Sequence, residues 1–514
     1  MAKWGFYGRK AELAEVEKLL DRQEFFFCAI SGRRRIGKTS LIQEALRKRG
    51  GTNRGLYVQI PDSDERGVIQ VFEDAIEDTF GDLEFAQKAC KNFADINLML
   101  SVLINRGYIC AVDEFQYFNR ASLSEFLSHL QFRVDQIRAS EASGGLFALG
   151  SIHTEMTAVL DDKNSPLFNR ITHRISVGHW DFETLFEMFR EHEIQDPHHW
   201  LMLWSIFEGV PKFYRDCFDH GVLKRDLNYR DLTLRAMFFE GASPLKDEAE
   251  NWFLRELRGR YDSLLKLIAR MGPCSLGALK SEYGRTGSAD EKQLSGYLKT
   301  LTEKYQMVET VQPIFAREGG RKTRYRIADN FLTAWLSAIV RNVQLARIRP
   351  LNEAMYKANT SLMVHEGFAF EKMIRLLLEE CSRKGVGDFS LTHLAKGYWN
   401  RTDGTDIEID IVAVDDESKT IRVGSCKRTA SAHDGDALEK FDGHISRFRS
   451  TELGKKYANW KVEKALYSPL FEEERRQILS DKGFICVDLR QFETWLAGAA
   501  LPLFGSYRKV SGDI

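Results

Sequence analysis

Short apolar runs alternate with amphipathic stretches through the N-terminal part of the chain. Phe25 to Ile30 is apolar throughout and bounded by polar residues, which predicts a buried strand. Leu56 to Ile60, Tyr108 to Val112, Leu146 to Leu149 and Arg174 to Val177 predict four more. Leu13, Val16, Leu19 and Leu20 recur at helical spacing, as do Leu41, Ile42 and Leu46 after the first run. A turn between helices is expected at Glu208–Tyr214, where Gly209 and Pro211 both interrupt regular structure. His192, His198 and His199 fall in a polar connecting stretch and are expected in solvent.

The pattern then changes. A helix is expected from Pro244 past Leu254, Leu257 and Tyr261 to Ile268, stopping at Gly272-Pro273. Ser275 to Glu282 predicts a short helix. Ser288 to Glu291 is a capping box ahead of Leu294, Tyr297, Leu298 and Leu301, with Lys292, Ser295 and Lys299 on the opposite face. Met307–Val311, the Gly319-Gly320 turn and the basic run Arg321–Ile327 predict a hairpin. Helices followed by a basic hairpin read as a winged helix-turn-helix over 236–345. In that arrangement the Lys292/Lys299 face enters a DNA groove while Arg321, Lys322 and Arg324 grip phosphates. The alternative is a module used for packing within the chain.

Over 350–505, a helix is expected from His365 through Leu378. Asp406 to Ala413 alternates strictly, placing Glu408 and Asp410 on one face and Ile407, Ile409 and Ile411 on the other. Ile421–Lys427 is the expected hairpin partner. A helix with Leu438 and Phe441 and strands at Ala465–Tyr467 and Phe484–Val487 follow.

At 514 residues the chain exceeds one ordinary core. A net charge of −1 excludes a polycation, so nucleic-acid binding has to use local patches. No apolar run approaches a membrane span, and the first residues lack a signal-peptide core. The eight cysteines are scattered without a C-x-x-C pair. They read as free thiols in a reducing cytoplasm, with no zinc site.

One stretch carries explicit chemistry. Gly32-Arg33-Arg34-Arg35-Ile36-Gly37-Lys38-Thr39 fills G-x-x-x-x-G-K-[ST], after a strand and before a helix that begins near Ser40. Backbone N–H groups of such a loop close around phosphates at a helix N-terminus. Lys38 would reach the β- and γ-phosphates, and the Thr39 hydroxyl would hold Mg²⁺. Downstream, an apolar strand ends in Asp113-Glu114. Asp113 suits the Mg²⁺ shell and Glu114 suits polarising a water. Ser151 or His153, after the Leu146–Gly150 strand, could place a hydrogen-bond donor beside that water. Arg170 reads either as an arginine finger, in cis or across a subunit interface, or as a surface arginine.

Several motifs together resemble the archaeal-type P-loop ATPases of the AAA+/STAND group. They are G-R-x-x-E-L at Gly8–Leu13, the arginine-containing P-loop, V-D-E-F at Val112–Phe115, Gly150-Ser151, P-L-F-x-R at Pro166–Arg170 and G-V-P-x-F-Y at Gly209–Tyr214. The resemblance implies an α/β fold over 1–235: a parallel sheet with the P-loop strand central, flanked by helices, then a helical lid. It also implies that Gly8-Arg9 lies near the adenine and that Pro211 approaches the nucleotide.

Helix Glu371, strand Asp410 and Lys427 on the next strand resemble the restriction-endonuclease-like PD-(D/E)XK fold. Active members carry an acid two residues before the lysine, and here that position is Ser425. A hydroxyl is a poor replacement for a carboxylate on a hard cation, though Glu371 and Glu408 are at hand. The expectation is therefore an ATP- and Mg²⁺-using switch in three domains, associated with double-stranded DNA, with a degenerate nuclease-like domain. The alternatives are an ATP-dependent DNA nuclease and a slow regulatory ATPase with a protein partner or a second copy of itself. No membrane is expected in any of the three.

Overall fold

The computed structural model describes the chain apart from residues 1–2, 49–54, 82, 84–89, 152, 242, 247, 249–259, 286–290, 317–319, 321, 402–405 and 499–514. It divides into two compact units. One comprises Trp4–Trp180 with Val210–Phe213, and the other Asp181–Gly209 with Tyr214 onward. The helices after Trp180, expected with the nucleotide-binding part up to residue 235, thus group with the C-terminal half. No described helix is long and apolar enough to cross a membrane.

The first unit is built on five parallel strands: β1 (Phe26–Gly32), β2 (Gly55–Gln59), β3 (Ile109–Asp113), β4 (Gly145–Gly150) and β5 (His173–Val177), in the order β2-β3-β4-β1-β5. β1 to β4 are apolar runs of the sequence, whereas β5, at the edge of the sheet, buries only Ile175 and Val177. Continuous apolar strands are what a parallel sheet covered on both faces requires. One face packs against helices Glu65–Phe80, Phe93–Asn105 and Glu125–Arg138. Phe72, Phe93, Phe115, Phe118 and Phe126 are buried together there, with Phe118 and Phe126 stacked at 3.9 Å.

The second unit contains two sheets. Cys274–Ser275 (β6), Val308–Val311 (β7) and Arg324–Ile327 (β8) form an antiparallel sheet ordered β6-β8-β7, with helix Arg260–Met271 before β6 and helices Leu276–Arg285 and Glu291–Lys299 between β6 and β7. The capping box at 288–291 lies largely outside the described residues, as does the middle of the helix expected after Pro244. The larger sheet runs β13-β12-β11-β10-β9, from Lys396–Trp399 (β9), Glu408–Asp415 (β10), Thr420–Cys426 (β11), Lys461–Ser468 (β12) and Ile485–Asp488 (β13). Its first three strands form an antiparallel meander, and the last two run parallel to β11. Before it stands one 34-residue helix, Leu351–Lys384, which begins well ahead of the His365 start expected. Pro350 opens it and Gly385, at φ 66°, closes it in the left-handed region.

Two expectations need correction. His192 and His199 are buried, and His199 stacks on Tyr229 at 4.1 Å. Burial pulls the His199 imidazole down to about 4, so it is neutral at physiological pH. The second correction concerns the basic hairpin, which leans on the large sheet. Arg324 pairs with Glu408 at 2.7 Å and lies 4.4 Å from the Trp399 ring centroid. The Trp399 indole donates to the Lys322 carbonyl at 2.9 Å, and the Ile314 amide donates to Gly397 at 2.9 Å. The Arg324 side chain is 11% exposed, which leaves it little surface to offer a phosphate. Arg324 is withdrawn as a DNA contact for this reason. Lys299 and Lys322 are exposed. Arg321 and the Lys292 side chain lie outside those described.

Arg324→Ala is accordingly expected to destabilise the C-terminal unit by about 1–3 kcal/mol, through loss of a charged hydrogen bond and a cation–π contact. Chemical denaturation measures this. The log–log salt slope of any duplex binding should stay as in the wild type.

Candidate active site

The site lies where β1, β3 and β4 end. Gly37, at φ 91°, turns the loop after β1 into helix Lys38–Lys48, and Arg35 takes φ 65° just before it. Lys38 is buried and folds back along the loop. Its Nζ donates to the carbonyls of Gly32 at 3.0 Å and Arg33 at 3.2 Å. Burial lowers the Lys38 ammonium from its ordinary value, while Asp113 and Glu114 nearby act in the opposite direction. Arg33, Arg35 and Ile36 are partly or fully buried in the loop, whereas Arg34 and Ser40 are exposed.

Asp113 is fixed from several sides. Its Oδ2 accepts from the Thr39 hydroxyl at 2.5 Å and from the Tyr57 hydroxyl at 2.8 Å. Its Oδ1 accepts from the Glu114 amide at 2.8 Å. Burial, with Asp113 alongside, pushes the Tyr57 phenol far above its ordinary value, so it remains a donor. A hydroxyl and a carboxylate converging on one point form the hard-oxygen donor set that suits Mg²⁺.

Glu114 departs from the strand with φ 56°. Its Oε2 accepts from the Gln116 side-chain amide and from the Ser151 hydroxyl, the latter at 3.3 Å. The structure thus brings Lys38, Thr39, Asp113, Glu114 and Ser151 together at the C-terminal ends of the central strands β1, β3 and β4. The His153 side chain lies outside those described.

Arg9 takes φ 59° after Gly8 at φ 61°, and its buried guanidinium donates to the Ile36 carbonyl at 2.9 Å and to Glu12 at 3.0 Å. That ties the Gly8-Arg9 turn to the phosphate loop. Pro211 sits beside the same loop, its Cγ 3.8 Å from where a Cβ on Gly37 would lie. Arg170 is engaged elsewhere. Asp135 holds it through both carboxylate oxygens at 2.9 and 2.8 Å, and the Pro166 and Phe168 carbonyls take a third nitrogen. None of these partners belongs to the phosphate loop.

Tyr57 and Gln116 escaped the sequence reading. Tyr57 lies in a run legible only as a strand, and Gln116 is masked by the aromatic residues around it. Parallel pairing of Gln59 with Asp113 brings β2 alongside β3 and so aims Tyr57 at the carboxylate.

The second cluster lies in the C-terminal unit. The Asp410 Oδ2 accepts from the Cys426 amide at 2.8 Å. Burial raises both Asp410 and Glu371, the latter to about 8; the Asp410 charge adds to the rise at Glu371, and the Glu408 charge to that at Asp410. Arg375, Arg326 and Lys427 surround them. Glu408 also adjoins, but its carboxylate is turned to Arg324.

Residues 6–213 match the family model of an ATPase domain predominantly from Archaea. Residues 335–438 match a family of archaeal and bacterial proteins of unknown function. The uncharacterized protein MJECL04 of Methanocaldococcus jannaschii is 25% identical over 418 residues, covering 80% of this chain and 85% of that one. Among solved structures, a Walker-type ATPase of Pyrococcus abyssi matches at 20% identity and TM-score 0.47, over 64% of this chain and 96% of its own. The Aeropyrum pernix ORC2 protein, in ADPNP–ADP complexes, matches at 17% identity and TM-score 0.47, over 68% and 96%. The N-terminal part of the chain is a P-loop ATPase domain.

Lys38→Ala should abolish ATP binding or weaken it severely, because it removes the cation aimed at the β- and γ-phosphates. Isothermal calorimetry measures this, and unchanged affinity would refute the site.

Proposed function

We propose that the protein is an ATP-binding and ATP-hydrolysing switch whose nucleotide state is passed to its C-terminal half. The observation that carries this is the convergence of Lys38, Thr39, Asp113 and Glu114 at the C-terminal ends of the central strands. On this reading the P-loop amides of Gly32–Ser40 and Lys38 hold the phosphates, and Thr39 with Asp113 holds Mg²⁺. The ion would neutralise charge developing on the transferred phosphoryl group. Tyr57 keeps Asp113 oriented, and Glu114 activates the attacking water. Gly8-Arg9 and Pro211 would flank the nucleotide.

The course of the chain supports the coupling. Val210–Phe213 belongs with the nucleotide-binding unit, while the residues on either side belong with the other. A shift of Pro211 that follows nucleotide state is therefore transmitted covalently into both neighbouring helices. On the far side of Gly209, buried Glu208 takes φ 47° and pairs with Lys372 of the long helix. A non-glycine residue held there is strained, and strain of this kind collects at switch regions.

For the C-terminal unit we favour a restriction-endonuclease-like fold retained for docking over an active nuclease. Three observations support this. Ser425 stands where a metal-binding acid is needed. Glu408 is spent on Arg324, and Glu371 is pushed up to a range where it keeps its proton at neutral pH. The helices and three-stranded sheet before it fit a winged helix used for packing within the chain. Double-stranded DNA stays a candidate partner through exposed Lys299 and Lys322, and a protein partner or second copy is the alternative.

Glu114→Gln should keep ATP affinity and lower turnover by about 10²–10⁴-fold, the ordinary contribution of a general base. Turnover near wild type would move the water-activating role elsewhere. The same assay run with and without duplex DNA separates the partners, stimulation pointing to DNA and indifference to protein. Incubation with plasmid, Mg²⁺ or Mn²⁺ and ATP should give no cleavage. Cleavage by wild type that Asp410→Ala abolishes would establish an active nuclease.

A further inference from the structure

The Gln116 side chain is 1% exposed and uses both ends. Its Nε2 donates to Glu114 Oε2 and, at 3.3 Å, to Ser151 Oγ. Its Oε1 accepts from the Ser151 amide at 3.3 Å. Ser151 Oγ closes the ring onto Glu114 Oε2 at 3.3 Å. The ring needs space at the end of β4, and Gly150 provides it. A Cβ there would stand 2.9 Å from Gln116 Oε1 and 2.1 Å from the Met156 sulfur. The backbone beneath is rigid, because Phe115 and Phe118 on either side of Gln116 are wholly buried in the aromatic cluster.

We infer that Gln116 is the positioning residue for the water-activating carboxylate, holding Glu114 and the Ser151 hydroxyl as one unit. This rests on the reading that the site hydrolyses ATP through Glu114. The physical argument concerns which oxygen is free. Glu114 Oε2 is occupied by two neutral donors from Gln116 and Ser151, which leaves Oε1 as the oxygen able to take a proton from water. A carboxylate on a flexible stem otherwise samples several rotamers, and a base displaced by about 1 Å loses on the order of 10²-fold in rate. Gln116 removes that freedom without adding charge next to the phosphates. It touches neither water nor phosphate in this role, so its loss should act on turnover and not on nucleotide binding.

Gln116→Met keeps the volume and removes the amide. It should lower kcat by about 10–10²-fold and leave ATP affinity by calorimetry as in wild type. Placed on Glu114→Gln, it should have almost no further effect on residual single-turnover hydrolysis, since two residues acting as a unit are not additive. A structural defect would lower ATP affinity and would multiply with Glu114→Gln. Gln116→Glu, which sets a second carboxylate against Glu114, should be as defective as Gln116→Met. Wild-type kcat in Gln116→Met, or full additivity in the double variant, overturns the inference. If Glu114→Gln itself turns over ATP normally, the hydrolytic reading has failed, and this separates the two.

Discussion

The contact on which the nucleotide site depends joins the start of helix Lys38–Lys48, which follows β1, to the end of β3, and these two strands are not neighbours. The Thr39 hydroxyl meets the Asp113 carboxylate at 2.5 Å, yet β4 lies between β1 and β3. Strands two places apart are separated by roughly 9–10 Å. The loops after β1 and β3 must therefore reach toward each other over the end of β4. Whatever stands there has to be small, and the chain places Gly150-Ser151 at that point. The same crossing explains why Ser151 and Gln116 touch. The end of the middle strand supplies the floor on which the two outer loops meet. A larger residue at 150 would meet Met156 and Gln116 and lift that floor.

Where the chemistry is local, the sequence is sufficient to locate it. The P-loop, the strand ending in Asp113-Glu114 and four of the five strands of the first sheet follow from apolar runs and a contiguous motif. Tyr57 and Gln116 do not, because their roles come from pairing across the sheet. Tyr57 acts only because β2 lies in parallel register with β3, and that register is a property of the whole sheet. Gln116 sits between Phe115 and Phe118, where an apolar reading is the natural one. The buried histidines were missed for a related reason. A polar-looking connector between helices becomes interior once Tyr229 closes over His199.

The basic hairpin is the converse case, where composition counts charge that the chain in part answers itself. A run of arginine and lysine after a glycine turn presents charge, but charge is free only when nothing in the chain answers it. Glu408 and Trp399 answer Arg324, and Glu309 answers Arg326. Glu408 and Trp399 stand opposite each other in the β9–β10 pair, so the hairpin grips the sheet at one register position. An arginine stacked on an indole and paired with a carboxylate is a fixture of packing, and its guanidinium plane suits both contacts at once. The alternating strand that places Glu408 and Asp410 on one face thus serves two neighbours. One of its acids holds the hairpin and the other lies among Glu371, Arg375 and Lys427.

This division of labour on β10 bears on what the C-terminal unit can do. A Mg²⁺ site that cleaves phosphodiesters needs several ionised oxygens around a strongly hydrated ion. Here the carboxylates are drawn off one at a time. Glu408 neutralises Arg324, Ser425 carries no charge, and Glu371 is raised by burial and by Asp410. Asp410 has one oxygen bound to the Cys426 amide. Two cationic side chains, Arg375 and Lys427, lie close to the carboxylates. Such a cluster is closer to neutral than a cation site can be.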